Sequence, residues 1–272
     1  PLAGVEKGEY FNVQPYAKAA GDYLMYFIKA EKMPRKLKVG FSSSPANLTH
    51  ATYRDLGFAA REDGKFDVYS AGGLGNNPRF GVKVAEAVEP DDILFYIRAM
   101  WLTFRTYGNY ENRGKARTRY MQESLGSPEK YKEAFQEKLK EVCASGEDLK
   151  LKDLKEASTE NSRKTGDETV FAGSNAIEQK QEGLYALAWH PIGGMPDPAV
   201  FCELADAMEE IEGVELRLAP YETAYIINLT GAEAERLNTI IQKDMAQSLF
   251  ETPVSCIGAS VCQVGLRDSQ GL

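Results

Sequence analysis

Residues 184–245 read LYALAWHPIGGMPDPAVFCELADAMEEIEGVELRLAPYETAYIINLTGAEAERLNTIIQKDM. Residues 184–189 read as a strand. Asp197-Pro198 caps a helix, with Phe201, Leu204, Ala205, Met208 and Ile211 on its inner face. Val214, Leu216 and Leu218, then Tyr225, Ile227 and Leu229, alternate as two strands. Residues 231–245 form a second helix. The order β-α-β-β-α places the fold in the α+β class.

That succession is the pattern of a ferredoxin-like unit. Upstream of it, from Glu129 to Glu168, 20 of 40 residues are charged, which predicts a solvated helical connector. The first 126 residues are richer in glycine and aromatics. There Pro15 suits a first helical turn, followed by Ala17, Ala20, Leu24, Phe27 and Ile28 on one face. Leu37, Val39 and Phe41 alternate as a strand, and residues 56–60 and 66–70 read as two more, with Gly64 as the turn between them. Asp91 and Asp92 open a helix whose buried face is Ile93, Ile97, Met100, Trp101 and Phe104. The expected organisation is a mixed α/β half over 1–126, a charged helical connector over 127–182, a ferredoxin-like unit over 183–250, and the start of a further half over 251–272.

The 272 residues are 43% hydrophobic, enough for a core and too apolar for global disorder. No apolar run reaches the roughly 18 residues that span a bilayer. A net charge of -8 opposes a whole-chain nucleic-acid footprint. The expected partners therefore include neither nucleic acid nor membrane. Four cysteines in a chain of this length do not make a disulfide framework, and no signal peptide opens it. The expected location is the cytoplasm.

Four stretches carry candidate chemistry. Arg35, Lys36 and Lys38 crowd three cations into four residues, with Lys36 and Lys38 on one face of an extended chain. Two ammonium groups so placed can hold a small oxyanion and give it protons; a solvated strand edge is the plainer alternative. Gly72-Gly73-Leu74-Gly75 allows close approach of backbone amides to an anion, or is simply a turn. Arg113, Arg117 and Arg119 cluster within seven residues, with Arg113 and Arg117 on one helical face. An anionic ligand would offset their repulsion; a nucleic-acid contact or a solvated face are the rivals. Cys256 and Cys262, with small residues between, have the wrong spacing for a zinc knuckle and suit two thiolates of an iron–sulfur cluster. Cys143 and Cys202 read better as buried free cysteines. Only His50 and His190 are present, and no triad or HExxH pair can be assembled.

Taken together these stretches resemble the siroheme-dependent sulfite and nitrite reductases. Met33-Pro34-Arg35-Lys36-Leu37-Lys38 is similar to the family's Leu-Pro-Arg-Lys-Phe-Lys element. The runs 55–61, 71–75 and 112–120, Trp189-His190-Pro191, and the pair Cys256 and Cys262 follow in the family's order.

The resemblance implies the first siroheme-domain half over 1–126 and the second ferredoxin-like unit over 183–250. It also implies that the first ferredoxin-like unit and the second cysteine pair, Gly-Cys-x3-Cys, are lacking. Its cofactors would be siroheme and a [4Fe-4S] cluster, its substrate sulfite or nitrite, its donor a ferredoxin-type protein. Lys36 and Lys38 would be catalytic. Arg35, Gly72, Gly73, Gly75, Arg113, Arg117 and Arg119 would bind siroheme, and Cys256 and Cys262 would ligate the cluster. Arg217 keeps its family place, whereas Tyr221 and Glu222 replace family amides. A second reading is a non-catalytic scaffold piece of such an enzyme, without bound cofactors.

Overall fold

A computed structural model describes residues 1–272 apart from 27, 29, 76, 153, 155–163, 263, 264, 270 and 272. It divides into two units, residues 8–160 and residues 1–7 with 161–272. Among the described residues no helix is long and apolar enough to cross a membrane.

The unit over 8–160 is built on a four-stranded sheet in the order β1-β2-β3-β4. These strands are Val39–Ser42, Leu56–Ala60, Phe66–Ser70 and Val82–Val88. β1 runs parallel to β2, and the other pairings are antiparallel. Gly64, at φ +79°, supplies the left-handed turn between β2 and β3. Phe41 and Phe58 are partners in register and stack at 4.8 Å, and Phe66 meets both edge-on. Gly57 cannot be replaced cheaply: a Cβ there would lie 1.8 Å from the Ala51 carbonyl oxygen.

The helices of this unit are α1 (Gln14–Met25), α2 (Ile93–Tyr107), α3 (Met121–Ser124) and α4 (Pro128–Ala144). α2 buries the stripe expected from its sequence, with Ile93, Ile97, Met100 and Phe104 at 0% exposure. α1 does not bury the expected face. Tyr16 and Ala20 are its buried residues, while Leu24 is half-buried and Ile28 lies exposed beyond the helix end. The Tyr16 ring packs edge-on against Phe11 and Phe66, and that contact sets the rotation of the helix. Phe27 lies outside the described residues.

The solvated connector is also corrected over its first part. Ser127 caps α4 through its side chain, and Tyr131, Phe135 and Val142 are buried. α4 packs on α2 and β4, and Gln136 donates to the Val84 carbonyl. The charges occupy the outer face only, so a high charge fraction coexists with an apolar stripe at helical spacing.

The second unit carries an antiparallel sheet in the order β5-β6-β8-β7. Its strands are Ala176–Glu178, Tyr185–Trp189, Thr223–Leu229 and Glu215–Ala219 in that spatial order. Helices α5 (Pro198–Glu209) and α6 (Gly231–Ile241) complete the β-α-β-β-α succession. Asp197 accepts from the Ala199 and Val200 amides as N-cap, and Thr230 with Glu233 forms a capping box at α6. β5, not foreseen in the sequence, pairs with the edge of β6. The inner face of α5 is Val200, Leu204 and Ala207, continued by Ile211 with Met208 packed against them, so Leu204, Met208 and Ile211 of the expected set lie in the core while Val200 and Ala207 were not foreseen. Phe201 is partly exposed but stacks on the buried Trp189 ring at 6.0 Å, whereas Ala205 and Cys202 are exposed, as is Cys143 on α4. Neither is the buried cysteine expected.

Candidate functional site

The site begins where the chain enters β1. Lys36 and Lys38 precede that strand in irregular chain rather than lying within it. The Lys38 amide donates to Asp55 Oδ2 at 2.8 Å, and the Leu56 amide donates to the Lys38 carbonyl at 3.2 Å. Asp55, 1% exposed at the mouth of β2, also accepts from Arg117 Nη2 at 2.9 Å and from the Thr118 hydroxyl. Three donors thus converge on one buried carboxylate, an arrangement that fixes Lys38 and Arg117 beside each other.

A cleft of about 200 Å³ opens over this point, lined by Lys38, Tyr53, Arg54, Asp55, Gly72, Gly73, Leu74 and Arg117. Lys38 keeps a solvent-exposed face. Partial burial, then the charges of Arg117, Lys36 and Arg54, hold its ammonium below the usual lysine range, against an opposing pull from Asp55. The Arg117 Nε is buried without a hydrogen-bond partner. A second cleft of about 410 Å³ is lined by Met33, Pro34, Arg35, Lys36 and Arg113. Five of the expected cations therefore face two clefts, Lys38 and Arg117 in one, Arg35, Lys36 and Arg113 in the other.

The remaining expected residues are placed differently. Arg113 and Arg117 do not share a helical face, because a 3₁₀ turn over Arg113–Lys115 is followed by extended backbone at Arg117. Arg119 is buried; its Nε donates to the Asn77 carbonyl and its guanidinium lies over the Tyr120 ring. A Cβ at Gly73 or Gly75 would stand 3.4 or 3.6 Å from that guanidinium arm, so Arg119 braces the glycine loop from within. The Gly72 amide donates to the Arg54 carbonyl and the Gly73 amide to Arg79, which leaves neither for an anion. A Cβ on Gly72 would sit 2.6 Å from the Tyr53 Cα, so the protein's own backbone requires that glycine. Asp55, Arg54, Tyr53 and Thr118 were not singled out in sequence. Asp55 opens the run 55–61, and an acid directly before an apolar strand was the available signal.

The model of the nitrite and sulphite reductase 4Fe-4S domain matches residues 1–142. The chain belongs to that family. It is 22% identical to a ferredoxin-type sulfite reductase of Mycolicibacterium paratuberculosis, over 99% of this chain and 47% of that one. It is 26% identical to a chloroplastic ferredoxin–nitrite reductase of Zea mays, over 96% and 46%. The solved structure of Mycobacterium tuberculosis NirA superimposes with a TM-score of 0.71 at 22% identity, covering 96% of this chain and 46% of that chain. The chain spans just under half the length of these relatives, and the mixed α+β fold is shared.

Two cofactors follow from the family resemblance, and the residues present fit them unequally. The cleft residues suit siroheme. Cations outnumber acids in both clefts; exposed Leu74 lines the first, and Tyr53 of the same cleft packs on exposed Phe80. A flat apolar ring with a carboxylate rim meets apolar surface and guanidinium or ammonium groups in one place. The cluster is not completed by this chain. Cys256 is exposed and Cys262 half-buried in residues 251–272, while Cys143 and Cys202 sit on helices of different units. Among the described residues no three His, Cys, Asp or Glu side chains gather to hold a metal ion.

Proposed function

We propose that this chain is the siroheme- and oxyanion-binding part of a sulfite or nitrite reductase, which carries out a six-electron reduction. The observation that supports it is the gathering of Lys38, Arg54 and Arg117 around one small cleft, with Arg35, Lys36 and Arg113 around another. Arg35, Arg113 and Arg117 would hold siroheme carboxylates, and Gly73 and Gly75, braced by Arg119, would shape the surface beneath the ring. Siroheme, when bound, would supply the redox chemistry with electrons from a ferredoxin-type donor, and Cys256 and Cys262 would be two of the four thiolates of a [4Fe-4S] cluster in the complete protein.

The chain's own residues supply charge and protons. Lys36 and Lys38 hold the oxyanion by charge-assisted contacts, and each has a proton on Nζ to give as oxygen leaves as water. Partial burial and the neighbouring cations lower the basicity of Lys38, which eases release of a proton from its Nζ. All four cysteines are free, consistent with a reducing compartment, and we place the protein in the cytoplasm.

The test is Lys36→Ala and Lys38→Ala in the complete protein, with siroheme content read by visible absorption. Loss of one charge-assisted contact to developing charge costs about 2–4 kcal/mol, so turnover should fall roughly 30- to 1000-fold with siroheme retained. Undiminished turnover in siroheme-loaded variants, or a parent protein that takes up no siroheme, would reject the reading.

A further inference from the structure

Among the described residues Asp55 is the one acid lining the cationic cleft, and both its carboxylate and its carbonyl are engaged. Its side chain accepts from the Lys38 amide (2.8 Å), from Arg117 Nη2 (2.9 and 3.2 Å) and from the Thr118 hydroxyl. Its carbonyl accepts from the Ala71 amide at 2.8 Å, directly before Gly72, and from the Ser70 hydroxyl at 3.3 Å. One residue therefore ties together the chain entering β1, the arginine-rich turn and the base of the glycine loop.

We propose that Asp55 is the positioning residue of the oxyanion site: a buried carboxylate that locks the Lys38 backbone, the Arg117 guanidinium and the Thr118 hydroxyl into one unit, and so fixes where the two cations present their charge. The role rests on the reading of this cleft as the oxyanion site. Its physical basis is preorganisation. Cations held in place before the anion arrives need no rearrangement as charge develops. The groups that act on Lys38 are Arg117, Lys36 and Arg54, all cationic, and Asp55 alone opposes them. A carboxamide cannot substitute. Three donors meet the two carboxylate oxygens, whereas an amide offers one oxygen and turns N–H groups toward the rest.

The experiment uses the full chain and two readouts that need no cofactor. The first is amide hydrogen exchange at Lys38. In Asp55→Asn its protection should fall by at least about tenfold, because the carboxylate that accepts from it is altered, while amides of β6 in the other unit keep theirs. The second is the rate of acetylation of the Lys38 amine against pH, resolved by mass spectrometry, since only the neutral amine reacts. At a fixed pH below the midpoint, Asp55→Asn should speed labelling roughly threefold, and Arg117→Met should slow it by a similar factor. A generally loosened protein would raise exchange everywhere and would not move the two variants in opposite directions. Unchanged Lys38 exchange and labelling in a folded Asp55→Asn protein would overturn the proposal. Should Asp55→Asn fail to fold, Arg117→Met decides: Lys38 exchange still protected with slower labelling supports it, and lost protection or unchanged labelling overturns it. Failure here leaves the reductase reading intact, and a parent protein without siroheme would fell that reading while leaving these readouts valid.

Discussion

The substitution Phe135→Ala tests whether α4 is part of a core or a passive tether. Phe135 is 0% exposed and sits one turn from the equally buried Tyr131, on the helix that packs against α2. Removing its ring takes away the transfer free energy of the side chain and leaves a void that neighbours fill only in part. Phe→Ala changes of this kind cost about 3–5 kcal/mol. For a unit of about 150 residues that is a fall in Tm on the order of 10 °C. Glu133→Ala, on the exposed side of the same helix, should stay within about 0.5 kcal/mol of the parent. The chain has two tryptophans, Trp101 buried on α2 and Trp189 on β6. In a Trp189→Phe background, fluorescence therefore reports on the unit over 8–160 alone. Thermal and urea transitions followed through Trp101 should move for Phe135→Ala and not for Glu133→Ala. Equal small shifts for both would refute the reasoning and return α4 to the role of a solvated connector.

Three further outcomes are expected. Lys38→Asn should move the ratio of kcat/KM for sulfite over nitrite toward nitrite, because sulfite carries more negative charge near neutral pH; steady-state assays with a reduced artificial donor would show an unmoved ratio if the idea is wrong. Burial opposes ionisation of Asp67, but Lys83 at 3.0 Å and Arg61 at 2.9 Å outweigh it and hold its carboxyl below the usual range. Its stabilising contribution is thus complete above the unfolded carboxyl value of about 3.9 and is lost as pH falls through the lower folded one; urea midpoints measured below pH 4 should respond less steeply in Asp67→Asn, and an identical acid slope would count against it. Finally, anaerobic reconstitution of the chain should leave iron and acid-labile sulfide well short of a full cluster, and a stoichiometric [4Fe-4S] cluster with four ligands from this chain would contradict the geometry.

The parts of the fold that were legible in the sequence are those where local pattern and tertiary packing agree. β2, β3 and α2 stand at the expected positions because alternation, a left-handed glycine and an acidic helix start all act locally. The face of α1 was misread and that of α5 read only in part, since more than one rotation of each helix is apolar and only the partner surface selects among them. At the site, the density of cations was legible, while their division between two clefts depends on a 3₁₀ turn and an extended residue that break helical spacing. Arg119 illustrates the same limit. Nothing in its local sequence separates it from Arg117, yet one is buried under a glycine loop and the other pairs with Asp55. Asp55 itself escaped notice because its meaning lies in donors 17, 62 and 63 residues away.

The second unit is assembled from both ends of the described chain. Val5 accepts from the Lys180 amide, Gly4 from Gln181, and Lys7 pairs with Glu178. Arg217 donates to the carbonyls of Pro1 and Ala3, across separations of 216 and 214 residues. During synthesis those first residues leave the ribosome long before their partners exist. The stretch over 8–160 meets all of its strand partners from within itself and can close while translation continues. Residues 1–7 must wait without these partners until β5, the turn after it and β7 have emerged, because loop closure across such a distance cannot be rewarded earlier. Chains stalled on the ribosome near residue 200, their last few tens of residues still in the exit tunnel, should therefore show the stretch over 8–150 protected from protease while residues 1–7 stay open to cleavage.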